Sequence, residues 1–339
     1  MVKSPLSLLA YLILDVLIGT ILLYGYVYSA YKYGNPFTGR NDFFSYKEMV
    51  ARPLDLSVTN APFVLRQIPA IVAFAFYRLG VYYDTAATVD LVNLDSDTRR
   101  RFLALILSNC VAICLSLATL SAYLRVKLAR DSWIVLLALF GIFAGWFYFP
   151  TGVIAPLAHG WGWLGASLFV VAFVERNPLL TCAGCLVGMF SRETTLVFAL
   201  AMFASVLIFE ADRRSGVILS VLALVVACIA YLLLREQLTS GNEHQITVQP
   251  VIAGLLSFKI SRDFLFQSIL SQALLGWLVL AIAFRDLRYA AYLLLSISVV
   301  TLVGIGAQVS QVALVVGEAV PFCATIFLLT HFDSIRSAA

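Results

Sequence analysis

Residues 102–124, FLALILSNCVAICLSLATLSAYL, form an apolar run that contains no Asp, Glu, Lys or Arg. A helix of about 20 residues is long enough to cross the hydrocarbon core of a bilayer. The apolar residues do not alternate with polar ones, so the run lacks the pattern of a membrane β-strand. Because hydrocarbon offers no hydrogen-bond partners to an open backbone, the run must satisfy its own backbone groups as a helix. This stretch therefore predicts a transmembrane helix.

The rest of the chain has the same character. Of its 339 residues 61% are hydrophobic and only 12% are charged, and the mean hydropathy is +0.93. A soluble domain carries about 25% charged residues. A water-soluble fold could not bury so much apolar surface, because its surface is too large relative to its core. The composition predicts an all-α polytopic transmembrane helical bundle.

The hydropathy pattern predicts about ten helices in a single membrane domain, 1–339. The first of them is expected to be a retained helix, because no A-x-A-like cleavage site follows it. The predicted spans are 8–31, 102–124, 133–149, 161–175, 178–190, 194–209, 216–234, 265–284, 290–308 and 315–332.

The segment 62–83 is apolar and aromatic but is divided by Arg66, Pro69 and Arg78. The stretch between the two arginines is about half the length that a spanning helix needs. We therefore predict an interfacial or re-entrant helix in the first outer loop, with its arginines reaching towards water.

Basic residues orient the bundle. If 62–83 does not cross the membrane, three basic clusters lie on the same side as the amino terminus, as the positive-inside rule requires. These clusters are at 125–130, 213–214 and 285–288. This predicts cytoplasmic termini and a first periplasmic loop from 32 to 101. One alternative remains open after residue 190: the run 178–209 forms two short arms or one tilted helix, and the second case reverses every later span.

Several function classes lose their usual signs. The net charge of +4 comes from short clusters, not from a continuous basic stripe, so nucleic acid is not an expected partner. The chain contains no phosphate-binding G-x-x-x-x-G-K-[ST] loop and no H-E-x-x-H zinc motif. Its six cysteines lie in apolar runs, where they pack as small hydrophobes. With three histidines and no ligand spacing, no metal site is predicted.

The first outer loop carries the first candidate site. If the chain is helical after Arg40, then Asp42, Tyr46 and Met49 share one helix face. A carboxylate in apolar surroundings near Arg40 or Arg66 can act as a general base on a hydroxyl or amine. The alternative is an ordinary interfacial helix whose Asp42 is favoured by the helix dipole.

Basic and polar side chains elsewhere could hold an anion. Arg66 lies between two prolines and can bind a phosphate bidentately, or can simply anchor the segment at the headgroups. Arg192 and Glu193 interrupt an apolar run, where an ion pair is either functional or a structural salt bridge. His159 is a lone imidazole at the predicted outer face, and we include it among the binding candidates.

The order of these pieces resembles a large group of bacterial multi-spanning proteins, the glycosyltransferase C superfold. The resemblance rests on Asp42-x-x-x-Tyr46-x-x-Met49, on Pro62-Phe63-x-x-Arg66-x-x-Pro69, and on Ser191-Arg192-Glu193 inside a short helix pair. It covers about the first two thirds of the chain.

The resemblance implies a membrane glycosyltransferase of the bacterial inner membrane. Such enzymes move a sugar from a polyprenyl-phosphate carrier to an acceptor at the outer face. It implies that Asp42 acts as the base or orients the acceptor, and that Arg66 or Arg192 holds the lipid phosphate. From the residues themselves, Tyr46 joins Asp42 as a catalytic candidate, and Arg40, Glu193 and His159 are further candidates for binding the substrate or the lipid phosphate. The departing phosphate would be stabilised by arginine and often by a divalent cation.

Two departures from the family pattern keep a second hypothesis open. The turn 149–156 has no acidic residue, and the segment before the last predicted helix, 308–321, has no arginine. The alternative is a non-catalytic polytopic subunit, or a transporter or flippase, for an envelope lipid or polysaccharide. The two hypotheses differ in one expectation: an enzyme needs Asp42, Arg66 and Arg192 to converge.

Overall fold

The computed structural model describes residues 5–33, 42–58, 66–80, 95–128, 133–146, 159–191, 275–306 and 319–336, with short pieces between 197 and 232. Throughout these residues the regular secondary structure is helical, which confirms the all-α prediction. The helices used here are α1 (Pro5–Tyr33), α2 (Asp42–Ala51), α3 (Gln67–Arg78), α4 (Ser96–Leu128), α5 (Trp133–Trp146), α6 (His159–Glu175), α7 (Pro178–Met189), α8 (Leu287–Gly306) and α9 (Val320–Arg336). Residues 275–283 are also helical.

Helix α4 has the length and apolar character of a membrane span, and it is the one helix among the described residues that has both. It is 33 residues long, and its most apolar stretch has a mean hydropathy of 2.3. Shorter apolar helical stretches occur within α1, α6, α7, α8 and α9. Their bounds, counted over the described residues, are Ala10–Gly25, Gly160–Glu175, Pro178–Met189, Leu287–Val299 and Val320–His331. One long apolar helix and several shorter ones favour association with a membrane.

Helix α4 lies at the centre of the described fold and contacts α1, α2, α3, α5, α6 and α9. Its partners differ in direction. Helix α1 is antiparallel to α4, because Asp15 pairs with Arg125 while Thr20 lies beside Cys114. Helix α6 is parallel to it, since Gly160 contacts Asn109 and, further along both helices, Ser167 contacts Ser116. Both neighbours therefore pack along the same apolar stretch of α4.

The first part of α4, residues 96–108, continues beyond the start of α6. At 1.5 Å per residue this α4 extension is about 20 Å long. Helices α2 and α3 pack on it, and α3 is antiparallel to α4: Pro69 contacts Ser108 and Tyr77 contacts Asp97. The predicted segment 62–83 thus contains a helix of 12 residues, shorter than a span, that lies along α4. Its interfacial or re-entrant placement in a bilayer stays a prediction.

The two faces of α1 have an inverted polarity. The buried positions recur every four residues at Asp15, Gly19, Leu23 and Val27 and face α4. The opposite face exposes large apolar side chains: Ile13, Leu17, Ile21 and Tyr24 are 52%, 57%, 72% and 60% exposed. A helix at a water interface turns its polar face outwards. The charged Asp15 is buried and the opposite face is apolar, which fits a hydrocarbon environment.

Local sequence signals explain where two of the helices begin. Asp95 precedes α4, and its carboxylate accepts hydrogen bonds from the Thr98 N–H at 2.8 Å and from the Thr98 hydroxyl at 2.6 Å. Asn177 caps α7 in the same way, and Pro178 occupies the first turn, where its missing N–H costs nothing.

Candidate functional site

Tyr46 and Arg66, both candidates from the sequence, are in direct contact. The Arg66 Nη1 donates a hydrogen bond to the Tyr46 hydroxyl oxygen at 3.1 Å. Arg66 immediately precedes α3, and Tyr46 lies in the second turn of α2. The contact therefore links two helices that are separated in the chain by residues 52–66.

The α2 face that carries Tyr46 is a packing face. Phe43, Tyr46, Met49 and Val50 are buried, with Tyr46 only 1% exposed. The ring of Phe43 packs edge-on against that of Phe102 on the α4 extension, with 5.1 Å between their centroids. The condition set for a shared face of Asp42, Tyr46 and Met49 is met, because the chain after Arg40 is helical from Asp42 to Ala51.

A second contact fixes the start of α3. The side-chain oxygen of Gln67 accepts a hydrogen bond from the backbone N–H of Leu54 at 3.0 Å, and Gln67 is only 4% exposed. Leu54 has a positive φ of 69°, an unfavourable conformation for a non-glycine residue. The buried amide of Gln67 holds the turn after α2 in that conformation. Arg66, next to Gln67, is thus held from both sides of the α2–α3 connection.

A buried set of hydrogen bonds, the polar junction, joins α3, α4, α6 and α7. The Ser108 hydroxyl donates to the Pro69 carbonyl at 2.8 Å, and the Trp161 indole N–H donates to Ser108 at 3.1 Å. The Asn109 side-chain oxygen accepts from the Gly160 N–H at 2.6 Å, and the Ile68 N–H donates to the Phe190 carbonyl at 3.2 Å. The polar junction consists of Ile68, Pro69, Ser108, Asn109, Gly160, Trp161 and Phe190.

The polar junction brings three predicted segments to one level of α4. Ile68 follows Arg66 by two residues, Gly160 follows His159, and Phe190 precedes Arg192 by two residues. The backbone bond from Ile68 to Phe190 means that the end of α7 lies against the start of α3. The described parts of α2, α3, α6 and α7 therefore meet around residues 102–109 of α4.

Part of the predicted site lies outside the described residues: Arg40, Arg192 and Glu193. For Asp42 and His159 the structure describes the backbone, as the first residues of α2 and α6, but not the side chains. Of the predicted site residues, Tyr46 and Arg66 are the pair whose side chains are both described, and these two are in contact. The roles of all seven stay predictions.

An arginine that the sequence interpretation did not single out ties α2 and α3 to the α4 extension. Arg101 pairs with Asp97 at 2.6 Å and with Glu48 at 3.7 Å, and it donates to the Lys47 carbonyl at 3.2 Å. Its guanidinium lies 5.7 Å from the centre of the Tyr77 ring. A signal was present in the sequence, since Asp97 and Arg101 have the i,i+4 spacing of a helical ion pair. Its partners on α2 and α3 depend on the fold.

Hydrogen bonds shift two titrations at this end of the fold. The Tyr77 hydroxyl donates to Asp97 at 2.6 Å, and this bond raises the pKa of Tyr77. Bonds from the Thr98 hydroxyl and N–H lower the pKa of Asp95. Both shifts favour the protonation states present at neutral pH, so the cap of α4 and the α3–α4 contact are fully formed there.

The described residues include no group of three or more His, Cys, Asp or Glu side chains that could hold a metal ion. The divalent cation implied by the resemblance stays a prediction. Comparison with known proteins adds no assignment: no family model, curated protein or solved structure matches the chain.

Proposed function

We propose that this protein is a multi-pass glycosyltransferase of the bacterial inner membrane, similar to the glycosyltransferase C superfold. It would take a sugar from a polyprenyl-phosphate carrier and transfer it to an acceptor at the outer face. The observation that supports the proposal is the convergence of α2, the start of α3, the start of α6 and the end of α7 around residues 102–109 of α4.

The convergence rests on two described contacts. The bond from Arg66 to Tyr46 joins α3 to α2, whose first residue is Asp42. The bond from Ile68 to Phe190 joins α3 to the end of α7, beyond which Arg192 follows in the chain. Residues that serve one site must share a location, whereas independent headgroup anchors need none.

The surface of the fold supports a membrane location. Large apolar side chains outside α1 are also strongly exposed: Leu179 is 78%, Trp277 74%, Phe284 88% and Leu287 74% exposed. Apolar surface of this extent in water favours aggregation, whereas in lipid it costs nothing. Arg285 follows Phe284 and Arg288 follows Leu287 in the chain. In a membrane location, these two arginines would lie at the cytoplasmic headgroups, where basic side chains are enriched.

The chemistry follows from the residue types. Asp42 would take the proton from the acceptor hydroxyl as its oxygen attacks the sugar carbon. The bond from sugar to phosphate breaks with its electrons moving to the phosphate oxygen. Arg66 would stabilise that charge, because a guanidinium pairs two N–H donors with two phosphate oxygens. Arg40, Arg192, Glu193 and His159 would complete the binding of the head group.

Asp42→Asn tests the proposal because it removes the base and keeps the shape. The purified protein in proteoliposomes is given a panel of polyprenyl-phosphate-linked sugars with a fluorescent acceptor glycan, and released polyprenyl phosphate is measured. We expect release by the wild type and a loss of about 100-fold or more in Asp42→Asn, the size of general-base effects.

Asp55→Asn is the matched control. Asp55 lies in the turn after α2, and its carboxylate bonds locally to Ser57 and Arg52. Release should be normal in this variant. Equal activity of wild type and Asp42→Asn would remove Asp42 from the mechanism. Binding of polyprenyl phosphate without any transfer would favour the non-catalytic subunit or carrier.

A further inference from the structure

We infer that Tyr46 is a positioning residue that holds the guanidinium of Arg66 for a phosphate group, and does not itself take part in the chemistry. The identity of the anion rests on the proposed function; the positioning does not. The inference replaces the catalytic role that the sequence assigns to Tyr46.

Burial excludes a direct role for the phenol. Tyr46 is 1% exposed and belongs to the packed α2 face with Phe43, Met49 and Val50. A group that transfers a proton to a substrate must come within hydrogen-bond distance of it. The phenol oxygen of Tyr46 is buried and accepts a hydrogen bond from Arg66 Nη1 at 3.1 Å.

The immobility of Tyr46 makes it suitable for this task. Its ring is packed in the core, and Phe43 on the same face packs edge-on against Phe102 of α4. A fixed acceptor selects one orientation of a long flexible side chain. Arginine otherwise loses considerable rotamer freedom on binding, and a pre-oriented guanidinium loses less.

The backbone of Arg66 is fixed by a different contact. The neighbouring Gln67 is buried and bonds to Leu54, which holds the connection between α2 and α3. The contact of Gln67 with Leu54 thus fixes the backbone beside Arg66, and the contact with Tyr46 orients the Arg66 guanidinium. A guanidinium is a planar, rigid fork of N–H donors, so the bond from Nη1 to Tyr46 helps to fix the plane of the whole group, as two-donor binding of a phosphate requires.

The first experiment measures binding of polyprenyl phosphate to the full chain in detergent, with inorganic phosphate and uncharged polyprenol as parallel probes. We expect Tyr46→Phe to weaken binding about 3- to 10-fold, the effect of losing one hydrogen bond. Arg66→Gln should weaken it more, by about 10- to 100-fold. In the double variant the loss should equal that of Arg66→Gln alone, because Tyr46 acts through Arg66.

Tyr77→Phe is the matched control, since its hydroxyl bonds to Asp97 on the same face of the fold. It should bind the probe like the wild type. Additive losses in the double variant, or unchanged binding in Tyr46→Phe where Arg66→Gln loses it, would overturn the inference. Binding of inorganic phosphate as tightly as of the lipid would identify a free-phosphate site with the same positioning.

The second experiment needs no ligand. Modification of Arg66 by p-hydroxyphenylglyoxal is followed by mass spectrometry of the peptide that contains it. Release from Tyr46 should raise the Arg66 modification rate several-fold in Tyr46→Phe and not in Tyr77→Phe. If the wild type binds no polyprenyl phosphate, the proposed function fails, and this rate alone decides the positioning: an unchanged rate refutes it.

Discussion

The buried ion pair between Asp15 and Arg125 offers a sharp test of how α1 is held against α4. The Arg125 Nη2 lies 2.7 Å from the Asp15 carboxylate, and the two side chains are 9% and 0% exposed. A second pair at the same end of α4, Lys127 with Glu175, has the same 2.7 Å separation but side chains that are 43% and 33% exposed. Burial is therefore the main difference between the two pairs.

The expected magnitudes follow from that difference. Removing one partner of a buried pair leaves an uncompensated charge and costs about 3–5 kcal/mol, so Asp15→Ala should lower the free energy of unfolding by this amount. An exposed pair is worth at most about 1 kcal/mol, so Lys127→Ala should cost little.

Removing both buried charges should be far less harmful than removing one. Among the described residues, Asp15 Oδ2 and Arg125 Nε have no hydrogen-bond partner, so the pair does not recover the full cost of burying its charges. The free energy of unfolding of the double variant Asp15→Leu/Arg125→Met should lie within about 1 kcal/mol of the wild-type value, because apolar replacement of a buried pair is often close to neutral.

The assay is equilibrium unfolding in mixed micelles of mild detergent and SDS, followed by tryptophan fluorescence and by helical circular dichroism. Equal losses in Asp15→Ala and Lys127→Ala would refute the argument from burial. A loss in the double variant equal to the sum of the losses in Asp15→Leu alone and Arg125→Met alone would show that the charges do not interact across α1 and α4.

Two further predictions concern helix packing and pH. A Cβ at Gly160 would lie 2.5 Å from the Asn109 carbonyl oxygen, whereas a Cβ at Gly141 would meet nothing within 4 Å. Gly160→Ala should therefore lower the free energy of unfolding by about 1–3 kcal/mol in the same assay. Gly141→Ala, in the middle of a helix, should be neutral or stabilising. Because the pKa of Asp95 is lowered by folding, its contribution is present above the pKa of the unfolded carboxyl and is lost as the pH falls through the folded value. The temperature of thermal unfolding should decrease below about pH 4. Asp95→Asn should make the unfolding temperature less dependent on pH. Identical pH profiles for the wild type and Asp95→Asn would contradict the role of this cap.

The sequence determined the secondary structure and the hydrophobic character, because both depend on local pattern. The uncharged run 102–124 predicted the apolar body of α4, and the prolines and arginines of 62–83 predicted that this segment holds only a short helix. If the chain after Arg40 is helical, the spacing of Asp42, Tyr46 and Met49 places them on one face, and α2 is that helix. The spacing did not determine which way the face points, because it serves a face turned towards a substrate or towards a core, and here Tyr46 is buried.

Only the tertiary structure decided which distant residues meet. The sequence treats Tyr46 and Arg66 as separate candidates, but the packing of α2 and α3 on the α4 extension puts a hydrogen bond between them. Asp15 with Arg125 and Arg101 with Glu48 were equally hidden, since each pair joins different helices. Hydrophobic patterning specifies that a helix is buried, whereas the partner of a polar side chain depends on helix register and direction, which are properties of the whole packed bundle.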